Sequence, residues 1–277
     1  MIGLGQNGIL EAGYVASPLR GLRDRRPLLA LEAEAKTLNP SLQEMPVCLL
    51  AGGLGKRLWP LTETLPKPML PVGEKPFVQL LMEHFASLGT RRFVLAVAYL
   101  WERFRDYFGD GRRFGWEIVY SVEDQPLGTG GAVLLAQPHW GEKVIVANGD
   151  TFLEEDWRSL AATHERLGLP ATMALVRQDD CSRFGRVDVV DGRVTQFVEK
   201  SSAGGAGWIN AGVYVLNRAG LDGWRRGERF SLEQDVFPRL CGRMGGHFCT
   251  RPFADIGTAE SLEAFRRGAG AAPQPLP

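Results

Sequence analysis

Leu50-Ala51-Gly52-Gly53-Leu54-Gly55-Lys56-Arg57-Leu58-Trp59-Pro60-Leu61-Thr62, followed by Pro66-Lys67-Pro68, is the stretch on which the fold turns. Immediately upstream, Val47 to Ala51 is an unbroken apolar run that ends at glycine, as expected for a short strand buried on both faces. A strand running straight into Gly52-Gly53-Leu54-Gly55 lets successive backbone N–H groups converge on phosphate oxygens, with no Cβ in the way. Arg57 adds a planar fork suited to phosphate. Lys67 adds a point charge on a loop stiffened by Pro66 and Pro68. A turn with two solvated cations would account for the glycines alone, but not for the glycines, Arg57 and the Pro-Lys-Pro run at this spacing.

Downstream, strand and helix patterns alternate. Pro76 to Leu88 reads as a helix with Phe77, Leu80, Leu81, His84 and Leu88 on one face, closed by Gly89. Strands are predicted at Phe93–Ala98, Trp116–Ser121, Val144–Ala147 and Ala171–Val176, and helices at Trp101–Phe108, Gly130–Ala136 and Asp156–Leu167. This alternation predicts an α/β fold, a Rossmann-like, mostly parallel sheet flanked by helices. The texture then changes. Residues 185–190, a turn at Asp191-Gly192 and residues 194–199 read as a β-hairpin. Trp208–Leu216 is a further strand, and Leu232–Leu240 a helix with Ser231 as its N-cap.

A chain of 277 residues with 32 Lys+Arg and 32 Asp+Glu has no net charge, which argues against a nucleic-acid coat or a polybasic membrane anchor. With 44% hydrophobic and 23% charged residues it is too apolar for a disordered chain. Cys48, Cys181, Cys241 and Cys249 show no C-x-x-C spacing, and the histidines form no zinc pattern. No secretory signal or membrane-spanning run is legible, so a reduced, cytoplasmic setting is expected. Residues 1–45 differ in character and read as an N-terminal extension, either disordered or an artefact of start-site choice; a chain beginning at Met45 is expected to fold. Gly3-Leu4-Gly5-Gln6-Asn7-Gly8 fits G-x-G-x-x-G, but no strand precedes it, and the match reads as accidental. Residues 46–267 then form the main domain and 268–277, rich in Gly, Ala and Pro, a flexible tail.

Gly53-Leu-Gly55-Lys-Arg57-Leu-Trp-Pro60-Leu-Thr62 with Pro66-Lys67-Pro68 resembles the nucleotidyltransferases that make nucleoside diphosphate sugars. The resemblance extends over roughly residues 46–265. It is strongest to the D-glycero-α-D-manno-heptose 1-phosphate guanylyltransferases, through Pro126-Leu-Gly-Thr-Gly-Gly-Ala132, Asn148-Gly-Asp150, Trp208-Ile-Asn-Ala-Gly212 and Phe253-Ala-Asp-Ile-Gly257. Lys56 and Ser201 depart from the family pattern, which usually has Thr and Pro there.

The resemblance implies the nucleotide-diphospho-sugar transferase fold, with a small β-rich sugar-binding portion. It also implies a reaction in which a sugar 1-phosphate oxygen attacks the α-phosphorus of a nucleoside triphosphate and pyrophosphate leaves. Both reactants are anions, so catalysis is charge neutralisation and alignment, and no protein nucleophile is needed. By the family match Arg57 and Lys67 are the catalytic cations. Leu50, Ala51, Gly52, Gly53, Gly55, Lys56, Glu123, Gly128 and Thr129 bind the nucleotide. Gly185, Glu199, Lys200 and Asn210 bind the sugar phosphate, and Asp150 and Asp255 share one Mg²⁺. Asp150 follows a strand, at the carboxyl end where open α/β sheets bind ligands. Glu123 would accept guanine N1–H and N2–H, although uracil also offers a ring N–H.

Taken alone, each Asp is as readily a turn residue, Glu123 a solvated acid, Glu199 and Lys200 an edge-strand charge pair, and Asn210 a turn residue. The leading expectation is a guanylyltransferase acting on a manno-configured heptose 1-phosphate. Alternatives are a mannose 1-phosphate guanylyltransferase, a hexose 1-phosphate uridylyltransferase, a non-catalytic nucleotidyltransferase-like regulatory module, or a glycosyltransferase on a similar sheet. Partners are small-molecule substrates, without nucleic acid or membrane. Seven tryptophans leave room for a homo-oligomeric interface.

Overall fold

The computed structural model describes residues 42–182, 184, 186–198 and 205–269. The expected extension up to residue 41 and the tail from 270 lie outside them, as do Gly185, Glu199, Lys200 and Ser201. Among the described residues no helix is long and apolar enough to cross a membrane.

Strands β1 (Val47–Leu50), β4 (Arg92–Val97), β5 (Glu117–Val122) and β6 (Lys143–Asn148) lie in the order β5-β4-β1-β6, all parallel. Short pieces intervene: β2 (Pro71–Val72) pairs with β3 (Lys75–Pro76), and β7 (Thr151–Leu153) follows β6. The sheet continues through β8 (Ala171–Gln178), β9 (Arg186–Val190), β10 (Arg193–Val198), β11 (Gly207–Asn217) and β12 (Met244–Cys249), in the spatial order β6-β11-β8-β12-β10-β9. The sheet is mixed rather than uniformly parallel: among the described strands β1, β4, β5, β6, β8, β9 and β12 run one way, and β10 and β11 run against them. β11 runs antiparallel to both β6 and β8, β12 is parallel to β8, and β10 is antiparallel to β12 and β9. Alternation in sequence reports connections rather than direction. Parallel neighbours need a long crossover, and β11 follows the hairpin and runs back between β6 and β8.

The hairpin itself is as expected: Asp191 and Gly192 both have positive φ, at 49° and 73°, the backbone of a tight primed turn. A last strand, β13 (Phe253–Asp255), pairs antiparallel with β7 outside the main sheet.

Among the described residues six α-helices flank the sheet: α1 (Phe77–Ser87), α2 (Glu102–Phe108), α3 (Gly128–Ala136), α4 (Trp157–Leu167), α5 (Phe237–Leu240) and α6 (Ala259–Ala269). The strands alternate cleanly between two cores. Val47, Leu49, Phe93, Leu95, Ile145 and Ala147 point to one face, where Val78, Met82, Phe104, Trp157 and Leu160 meet them. Cys48, Val94, Ala96, Val144 and Val146 point to the other, against Val133, Ala136, Val236 and Phe237. The expected apolar face of α1 is therefore incomplete. Leu80, His84 and Leu88 are only partly buried, whereas Val78, Met82 and Phe85 are core residues. This helix packs on two sides, because a third, smaller cluster of Leu58, Leu70, Val72, Phe77, Leu81, Ile256 and Leu262 lies beyond it.

The predicted helix at Leu232–Leu240 opens with a π turn over Leu232–Val236 before α5. Ser231 caps it as expected, its hydroxyl oxygen accepting from the N–H of Glu233 at 3.1 Å and of Gln234 at 3.2 Å. Packing also takes in residues before the expected domain start. Leu42 is 1% exposed, and its carbonyl accepts from Met45 N–H at 3.3 Å.

Candidate active site

The carboxyl ends of β1 and β6 open into a cleft of about 460 Å³. Leu50, Ala51, Gly52, Gly53, Gly55, Lys56, Arg57, Lys67, Glu123, Gly128, Thr129 and Asp150, all expected in the site, line it together. The loop after β1 is held by short-range chemistry that explains the motif spacing. Gly55 has φ 62°, a left-handed backbone, and a Cβ there would come within 2.9 Å of Thr62 and 3.1 Å of Lys67. The fully buried Thr62 hydroxyl donates to the Gly55 carbonyl at 3.1 Å, and Leu58 N–H donates to the same oxygen at 2.9 Å. Glycine, threonine and lysine are thus packed into one knot that presents Lys56 and Arg57 to the cleft.

Three site segments hang on the small third cluster. Leu58 follows Arg57, Leu70 closes the turn that begins at Lys67, and Ile256 follows Asp255; all three are at most 2% exposed in that cluster. Their burial fixes the neighbouring charged residues without touching the cleft.

Lys67 is 8% exposed, and its Nζ donates to Asp150 Oδ2 at 2.6 Å. Asp150 and Asp255 are brought together by β7 and β13: Thr151 pairs with Asp255, and Ile256 N–H donates to the Asp150 carbonyl at 3.0 Å. Asp255 Oδ1 accepts from Gly257 N–H at 2.6 Å. Gly257 lines the cleft, and a Cβ on it would lie 2.7 Å from Asp255 Oδ1 and 3.2 Å from Arg57 Nη2, so these three meet. Among the described residues no three His, Cys, Asp or Glu side chains form a metal-holding group. Asp150 lines the cleft, whereas Asp255 is not among its lining residues and faces Gly257.

At the other end, Glu123 Oε2 accepts from Leu127 N–H at 2.8 Å, while Oε1 faces Gly52. Burial raises the Glu123 pKa, with the Leu127 hydrogen bond opposing it. Thr129 lines the cleft but is bonded within the protein. Its hydroxyl donates to Glu233 Oε2 at 2.7 Å and accepts from Leu232 N–H at 2.9 Å. The glycines beside it have a packing reason as well: Gly130 and Gly131 N–H both donate to the Phe230 carbonyl, at 3.1 and 3.2 Å.

Asn210 lies apart from the cleft lining. Its Nδ2 donates to the buried Tyr214 hydroxyl at 2.6 Å, and its Oδ1 accepts from Gly212 N–H at 2.8 Å. The other expected sugar-phosphate residues, Gly185, Glu199 and Lys200, lie outside the described residues. Sequence reasoning missed Pro68, Ala96, Pro126, Ala132, Asn148 and Gly257 as lining residues. Four of these flank a predicted site residue by one or two positions, which was the available clue. The four cysteines are free thiols, and burial pushes Cys48 and Cys249 up to about 12, which keeps them unreactive.

The sequence matches the nucleotidyl transferase family over residues 47–269. It is 37% identical to the D-glycero-alpha-D-manno-heptose 1-phosphate guanylyltransferase of Aneurinibacillus thermoaerophilus over 226 residues, 80% of this chain and 97% of that protein. It is 36% identical to the mannose-1-phosphate guanylyltransferase of Mycobacterium tuberculosis over 238 residues, 82% of this chain and 66% of that protein. The crystal structure of HddC from Yersinia pseudotuberculosis complexed with GMP-PN superposes with a TM-score of 0.72 at 32% identity, covering 81% of this chain and 99% of that one.

Proposed function

Because the chain belongs to the nucleotidyl transferase family, we propose that it is a sugar 1-phosphate guanylyltransferase, joining GTP and D-glycero-α-D-manno-heptose 1-phosphate into GDP-heptose with release of pyrophosphate. The observation that carries this reading is the convergence of Arg57, Lys67 and the glycine loop with Asp150 and Glu123 in one cleft. The reaction brings two anions together, and cations from two turns of the connection after β1 offset their repulsion. Arg57 and Lys67 bind and align the phosphates, the backbone N–H groups of Gly52, Gly53 and Gly55 take phosphate oxygens, and Lys56 adds a further charge.

Asp150 and Asp255 would hold the divalent ion. Two hard carboxylates, one just before β7 and one at the end of its partner β13, suit Mg²⁺, which takes one or two protein carboxylates and completes its shell with water and phosphate. When bound, that ion supplies charge neutralisation on the phosphates. Glu123 reads the base: with Oε2 held by Leu127 N–H, Oε1 is left to accept from guanine. Thr129 acts from behind, fixing the Leu232–Glu233 segment against α3. Gly185, Glu199, Lys200 and Asn210 bind the sugar phosphate on this reading, Asn210 after giving up its bond to Tyr214.

Mannose 1-phosphate is the second reading, supported by the similarity to the Mycobacterium tuberculosis enzyme. Pyrophosphate release across four nucleoside triphosphates and a panel of sugar 1-phosphates, with and without Mg²⁺, tests both. Turnover confined to GTP with the heptose phosphate is expected, and absolute dependence on a divalent ion. Faster turnover with mannose 1-phosphate would favour the second reading. No turnover with any pair would overturn both and favour a regulatory module.

A further inference from the structure

Lys67 and Asp150 have different partners in the reaction, phosphate for the cation and a divalent ion for the carboxylate. In the free protein they are bonded to each other, Lys67 Nζ lying 2.6 Å from Asp150 Oδ2. The Lys67 side chain is 9% exposed and the Asp150 side chain 36%. A cation this buried is costly to leave unpaired, and among the described residues Lys67 has no other ion-pair partner. It therefore stays on Asp150 until another anion is offered. An ammonium group and a divalent cation also compete for the same carboxylate and repel each other at short range in a poorly screened cleft.

We infer that the Lys67–Asp150 ion pair is an interlock: it blocks divalent-ion binding at Asp150 in the free protein and opens when a polyphosphate takes Lys67 as its counter-ion. The inference rests on the assignment of Asp150 and Asp255 as the metal residues. With Asp150 Oδ2 held by the ammonium, an ion at its Oδ1 would sit beside a like charge, and the Asp255 carboxylate, which already accepts from Gly257 N–H, offers too few charged oxygens on its own to hold a hard divalent ion well. Metal and nucleotide then enter as one event, and the cation that leaves Asp150 arrives on the phosphate it must neutralise.

The test is Mn²⁺ binding to the full-length protein without nucleotide, followed by electron paramagnetic resonance. The wild type is expected to bind weakly, and Lys67→Gln about tenfold or more tightly. Lys56→Gln removes a cleft cation of equal charge that pairs with no acid among the described residues, and is expected to gain far less. Adding Asp150→Asn to Lys67→Gln should abolish the gain. Equal Mn²⁺ affinity in wild type and Lys67→Gln, an equal gain in Lys56→Gln, or a gain that survives Asp150→Asn would each overturn the interlock. Turnover separates the two levels. Loss of turnover in Asp150→Asn with unchanged Mn²⁺ affinity in Lys67→Gln would leave the assigned reaction standing without the interlock. Normal turnover in Asp150→Asn would remove the metal assignment itself.

Discussion

Glu123 shows how much a single carboxylate depends on its surroundings. One oxygen is pinned by Leu127 N–H at 2.8 Å, and the other lies 2.9 Å from where a Cβ on Gly52 would stand. Gly52→Ala is therefore expected to push the carboxylate aside and raise KM for GTP about tenfold, the loss of one charge-assisted hydrogen bond. Steady-state kinetics check this, and an unchanged KM would remove Glu123 from base recognition. Its raised pKa also has a sign. Because burial disfavours the charged form, the neutral acid accumulates at a higher pH than for an ordinary carboxylate, and an acceptor is lost. The acid limb of kcat/KM for GTP should lie above the usual carboxylate range and vanish in Glu123→Gln; a pH–rate profile decides it. Residues of this kind were legible in the sequence because their spacing is local: Gly55, Arg57, Thr62 and Lys67 form one knot within a short loop. The Lys67–Asp150 bond was not, since it joins residues 83 apart whose roles had each been read separately.

Among the elements, Gly128 at the start of α3 is expected from sequence to meet the nucleotide, but much of the meaning of the glycines there is packing. A Cβ on Gly130 would fall 2.3 Å from the Phe230 ring, and one on Gly128 2.5 Å from the Phe230 carbonyl. Phe230 is 3% exposed and stacks on Trp224 at 4.1 Å, so it has nowhere to retreat. Gly130→Ala should cost about 1–3 kcal/mol of stability through overpacking, read as a lower midpoint in urea, with partial recovery in the double variant with Phe230→Leu. Full stability in Gly130→Ala would show that the segment yields. Strands of continuous apolar sequence were legible, as was the Ser231 cap. β12, with Gly245, Gly246 and His247 in its middle, carries too little apolar pattern to announce itself. β7 and β13 are three-residue strands whose pairing is purely long-range. The π turn before α5 has no sequence mark, although Asp235 and Val236 N–H both reach back to the Ser231 carbonyl there.

At the scale of the whole molecule, two histidines, the buried His164 and the half-buried His247, tie α4 to the sheet. His164 meets Thr172 at 3.0 Å and Asn217 at 2.8 Å, and His247 meets Thr163 at 2.9 Å and Ser159 at 3.2 Å. Burial lowers both pKa values below that of a free imidazole. The unfolded chain then binds protons that the folded one refuses, so stability is full above the ordinary imidazole pKa and falls as the pH drops from about 6.5 towards the folded values. Urea midpoints should decline between about pH 7.5 and 5.5, less steeply in His247→Gln. A flat profile would mean that neither ring resists protonation.

The small cluster of Leu58, Leu70, Ile256 and Leu262 has a different kind of consequence. Arg57, Lys67 and Asp255 share that one apolar anchorage, while Glu123 stands at the end of β5 and is not part of it. Among the described residues Glu123 touches this half only through Gly52, so a substitution in the small cluster is expected to loosen Arg57, Lys67 and Asp255 together while leaving the Glu123–Leu127 bond in place.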